Sequence, residues 1–79
     1  MDEEGIQAII RCIDTYLEQT GSSEITAVEA NRVLAEMDLL HDSQERPGLP
    51  LRRLLRDGRI PHAYQSTGQR HGRWLIPHS

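Results

Sequence analysis

The chain contains no lysine and no phenylalanine, only one cysteine, and three aromatic side chains in 79 residues. A single cysteine, Cys12, excludes an intramolecular disulfide and suits a reducing compartment. No Cys/His spacing matches a zinc finger. His41, His62, His71 and His78 are scattered, and no two of them share the i, i+4 helical spacing of a metal site. No apolar run reaches the roughly 18–20 residues that a membrane helix needs. The first residues, Met-Asp-Glu-Glu, are acidic, whereas a signal peptide starts basic and turns apolar, so a cytoplasmic protein is expected. Phosphate loop, dinucleotide fingerprint, nucleophile elbow and metal motif are all missing. The expectation is therefore a non-enzyme with no cofactor, no metal, no small-molecule substrate and no membrane. Three aromatics are also too few for a groove that stacks single-stranded bases.

Charge is abundant, and it is divided along the chain. Residues 1–40 hold nine acidic side chains against two arginines, a charge of −7; residues 41–79 hold three against seven, a charge of +4. A polyanion responds to the local field of one face rather than to the net −3. Every basic residue is arginine, whose planar fork of donors matches phosphate and guanine. A GC-rich genome, which favours arginine codons, would produce the same bias.

At this length one domain is expected, over 1–79, mainly α with a small β-hairpin. Ile6, Ile9, Ile10, Ile13, Tyr16 and Leu17 recur at helical spacing and predict an acidic first helix within 1–22, stopped at Gly21. Thr26 and Glu29 form a capping-box pattern that opens a second helix over 27–38, with Ala30, Val33, Leu34 and Met37 as its apolar stripe. Pro47, Gly48 and Pro50 break a polar loop. A third helix is expected over 50–57, with Leu51, Leu54 and Leu55 inward, Arg52, Arg53 and Arg56 outward, and Gly58 at its end. Strands at 59–65 and 73–76, joined by a glycine-containing turn, predict a two-stranded hairpin. The expected core joins Ile10, Ile13, Val33, Leu34, Leu51, Leu54, Leu55 and Ile76. Trp74 and Tyr64 are expected to pack against it, and Cys12 to be half-buried filling rather than a nucleophile.

Three segments carry a resemblance. Ile25-Thr26-Ala27-Val28-Glu29-Ala30 resembles the opening of excisionase-type and MerR-like helix-turn-helix domains. Leu54-Leu55-Arg56-Asp57-Gly58-Arg59-Ile60-Pro61 resembles the end of their recognition helix and first wing strand. Gly72-Arg73-Trp74-Leu75-Ile76-Pro77 resembles their second wing strand. The matches fall in the family's order and span about residues 25–77. The resemblance implies a winged helix-turn-helix (three helices plus a two-stranded wing), with the helix-turn-helix over 25–58, the wing over 59–77, and double-stranded DNA as partner. It places Arg52 and Arg53 on the exposed face of the recognition helix, Gln69, Arg70 and His71 in the wing, and Arg73 at its base. Arg46 and Arg56 complete the set of candidate DNA contacts. Where the family has polar contact residues this chain has Pro47-Gly48-Leu49-Pro50, so base reading would fall to Asp42, Ser43, Gln44 or Arg46.

The function expected from these readings is a small DNA-binding protein, either a transcriptional regulator or an excisionase-like accessory factor. The alternative is a protein-interaction module, or a self-associating one, on the same scaffold without DNA contacts. The acidic first helix and the apolar Pro47–Pro50 stretch motivate the alternative. Arginines turned outward would favour the first reading, and arginines folded onto acidic residues the second.

Overall fold

The computed structural model describes residues 2–66 and 73–79, with three helices and a three-stranded antiparallel sheet among them. The first helix, α1 (Glu3–Thr20), starts at Asp2, whose Oδ1 accepts the Gly5 N–H at 2.8 Å. It stops at Gly21, which takes the left-handed conformation at φ 69° and returns its N–H to the Leu17 carbonyl. Side chains spaced three and four apart, Ile6, Ile9, Ile13 and Leu17, are buried along one stripe of this helix.

A short strand, β1 (Glu24–Thr26), leads directly into α2 (Ala27–Glu36). Thr26 caps α2 by accepting the Glu29 N–H at 3.2 Å, an arrangement worth about 0.5–2 kcal/mol. The Glu29 carboxylate does not complete the box. Its Oε1 accepts instead from the Tyr16 hydroxyl at 3.1 Å and from Arg32. The helix ends two residues sooner than its apolar stripe suggests, because Asp38 turns left-handed at φ 58° and the Leu39 N–H returns to the Leu34 carbonyl. Met37, expected in the stripe, is 62% exposed.

The third helix, α3 (Leu49–Arg56), ends at a turn in which the Gly58 and Arg59 N–H groups bond back to Leu55 and Leu54. Two more strands follow, β2 (Tyr64–Gln65) and β3 (Trp74–Pro77). They pair antiparallel, with Tyr64 opposite Leu75 and Gln65 opposite Trp74. The expected hairpin is thus present, with two corrections. It belongs to a three-stranded sheet, order β1-β3-β2, in which Ile25 lies opposite Ile76. Its first strand is also shorter than residues 59–65, because Pro61 has no N–H to give a ladder and the Ala63 N–H closes a turn onto Ile60.

One core joins the three layers. Ile9, Ile13 and Leu17 from α1 meet Ala30 and Leu34 from α2, Leu51 and Leu55 from α3, and Ile25 and Ile76 from the sheet. Val33 is buried, while Ile10, Leu54 and Cys12 are half-buried against the core. Trp74 also packs against this cluster, but Tyr64 is 43% exposed and donates its hydroxyl to Glu24 at 2.6 Å. No helix among the described residues is long and apolar enough to cross a membrane.

Candidate nucleic-acid interface

The loop before α3 is held by one buried and one half-buried polar side chain. Asn31, in the middle of α2, is fully buried. Its Nδ2 donates to the His41 carbonyl at 3.2 Å and its Oδ1 accepts the Leu51 N–H at 3.0 Å. Asp42 uses one carboxylate oxygen for two donors, the Ser43 N–H at 2.8 Å and the Gly48 N–H at 2.9 Å. Gly48 begins α3 in the left-handed region at φ 87° and offers no side chain as a cap, so Asn31 serves from the neighbouring helix. A Cβ on Gly48 would lie 3.0 Å from both Cα and Cγ2 of Val28, so α2 and α3 meet backbone to backbone there.

Helical periodicity then divides α3 into two faces. Leu51 and Leu55 are buried on one. Leu49, Arg52, Arg53 and Arg56, spaced i, i+3, i+4 and i+7, share the other. Arg53 and Arg56 are exposed, and Arg52 is half-buried. Arg46 is exposed on the loop, and its carbonyl accepts the Leu49 N–H at 3.0 Å. Arg73 is exposed where β3 begins, and the Ser66 N–H bonds its carbonyl at 2.9 Å. The structure therefore brings Arg52, Arg53 and Arg56 onto one surface with Arg46 leading into it, and sets Arg73 on a separate element. Gln69, Arg70 and His71 lie outside the described residues.

Pairing separates the arginines. In the acidic half Arg32 bridges Glu29 and Glu36, the latter at 2.7 Å. Among the described residues, none of Arg46, Arg52, Arg53, Arg56 and Arg73 forms an ion pair with a carboxylate. No family model, curated protein or solved structure matches this chain. The site is a cationic helix face, exposed at Arg53 and Arg56 and half-buried at Arg52, with the half-buried Leu49 at its leading end.

Away from this face, α1 and the end of α2 border an apolar groove of about 500 Å³. Cys12, Tyr16, Val33, Met37 and Leu39 line it, with Arg11 and Glu36 among its polar walls. Burial pushes the Cys12 thiol above its usual value, which leaves it protonated and a poor nucleophile. A second polar cluster ties the end of the chain to α1. Asp14 accepts from both the Ser79 N–H, at 2.9 Å, and the Ser79 hydroxyl. His78 sits 3.2 Å from Glu18 and 3.8 Å from Asp14.

Two residues are read only in part from the sequence alone. Leu49, part of the apolar Pro47–Pro50 stretch, is expected in a loop but is the first residue of α3. Val28 sits inside a helix-opening motif, yet it is 48% exposed. The i, i+4 relation between Leu49 and Arg53 is the signal that could have found the first.

Proposed function

We propose that this chain is a winged helix-turn-helix module that binds double-stranded DNA without catalysis, as a small regulator or an excisionase-like accessory factor. In this reading α2, the loop that Asn31 and Asp42 hold, and α3 are the helix-turn-helix, and β2 and β3 carry the wing. The observation that supports it best is the unpaired arginine stripe of α3. Exposed ion pairs contribute only about 0–1 kcal/mol, so stability is a weak reason to hold three arginines on one helix face, and here they are not paired at all. A duplex supplies the missing anions.

Titration of labelled duplex at increasing salt tests the reading. With about three to five phosphates contacted, log affinity should fall against log salt with a slope near −3 to −4.5. Replacing Arg52 and Arg53 together by Ala should flatten the slope by about 2, with the thermal midpoint followed alongside because Arg52 is half-buried and its Nε lies out of solvent. Arg70→Ala should flatten it by about 1. Absence of any duplex binding at about 50 mM salt would sink the proposal. A protein-interaction module is the second reading, and the groove beside Met37 is the observation that favours it.

A further inference from the structure

We infer that the α3 face reads duplex DNA through thymine methyl groups as well as through arginine, with Leu49 and Val28 forming the methyl-contacting corner. This rests on the duplex-binding reading above and adds the class of base preferred.

The first turn of α3 has no backbone donors left for phosphate. The Leu49 N–H is bonded to the Arg46 carbonyl, Pro50 has none, the Leu51 N–H goes to Asn31, and the Arg52 N–H goes to the Gly48 carbonyl at 2.9 Å. Whatever this end of the helix recognises, it recognises by side chain. The sequence of α3 is Leu-Pro-Leu-Arg-Arg-Leu-Leu-Arg, without Asn, Gln, Ser, Thr, Asp or Glu. In the major groove adenine is read by Asn or Gln and cytosine by an acceptor, and α3 offers neither. Arginine reads guanine, and an apolar side chain reads the C5-methyl of thymine.

The apolar side chain stands in the right place for that. Leu49 lies on the arginine side of α3, one turn before Arg52 and Arg53. Val28 abuts Gly48, the residue that precedes Leu49, and remains 48% exposed. Val28 belongs to α2 and Leu49, half-buried, to α3, and the close approach of Val28 to Gly48 joins the two helices one residue before Leu49. Cations on the same stripe supply the attraction that would draw a duplex against this corner. A thymine methyl entering it would exchange water for apolar contact on both sides.

The test compares duplexes of one mixed sequence, containing either thymidine or deoxyuridine, which differ by the methyl alone. A second pair contains only G·C, with cytosine either plain or C5-methylated. The wild-type protein should lose about fourfold in affinity for each buried methyl removed by deoxyuridine, and gain on cytosine methylation. Val28→Ala and Leu49→Ala should each reduce both differences while keeping the salt slope. Val28 is exposed, so its variant carries the test even if Leu49→Ala folds poorly. Equal affinity for all four duplexes, with the salt slope intact, overturns this inference and leaves duplex binding standing. No binding to any duplex overturns both.

Discussion

Asn31 is the residue on which the presentation of α3 depends. It is polar, fully buried, and satisfied at both ends of its amide by the loop and by α3. Asn31→Ala leaves the Leu51 N–H and the His41 carbonyl unpaired, at roughly 1–3 kcal/mol for each group that stays buried. Denaturant midpoints should therefore fall well beyond what an exposed Asn→Ala change produces. His78 acts at the opposite end of the molecule. Its hydrogen bond to the Ser79 backbone oxygen, and then that to Glu18, raise its value above the ordinary 6.5. Protonation is thereby coupled to folding, so its contribution is fully present below 6.5 and lost as pH rises through the higher folded value. For Asp14, burial opposes ionisation, but the bonds from Ser79 and the nearby His78 and His62 outweigh it and hold the value below 3.8. That contribution is present above 3.8 and lost as pH falls through the lower folded value. The stability difference between wild type and His78→Gln should be clear at about pH 5 and vanish by about pH 9. A difference that does not change with pH would show that the histidine is not engaged.

At the scale of elements, what was legible in the sequence was local. The isoleucine spacing of α1, the Thr26 cap and the division of α3 into leucine and arginine faces all depend on residues within one or two turns. Strand β1 was not legible, because Glu24-Ile25-Thr26 is too short to alternate and is made a strand by β3, across the Ile25–Ile76 pairing. Residues 59–63 misled for the converse reason. Ile60 is buried like a strand residue, yet it anchors a turn. The burial of Asn31 was equally hidden, since its partners come from the loop and from α3. The glycines that join elements also differ by context. Gly21 and Gly48 both have positive φ, 69° and 87°, but only Gly48 faces another backbone. Gly21→Ala meets strain alone, of order 1 kcal/mol. Gly48→Ala adds a Cβ only 3.0 Å from Val28 Cα, a contact to which the backbone of α2 must yield, so it should lower the thermal midpoint more and perturb the amide resonances of both α2 and α3. Equal losses for the two would show that α2 and α3 can separate freely at Gly48.

At the scale of the whole molecule, the carboxylates of α1 and the arginines of α3 are carried on different helices. If a duplex lies along α3, Glu18 on α1 should influence it only through the long-range field, which salt suppresses beyond about 10 Å at 0.1 M. Glu18→Arg should therefore raise duplex affinity modestly, and only at low ionic strength. A large gain that persists in salt would place α1 against the duplex and require a different docking face.

The central strand of the sheet, β3, follows both of its neighbours in the sequence. Since β1 and β2 pair only through it, the ribosome makes both outer strands before either has its neighbour. All three helices precede β3 in the sequence, and the sheet must wait for residues 74–77. Joining Ile25 to Ile76 then closes a long loop of chain late, after local structure has formed, and such closures slow folding. Until that step, Ile25 and the α1 stripe that meets Ile76 stay open on one side, and a nascent chain would be most vulnerable to proteases in that interval.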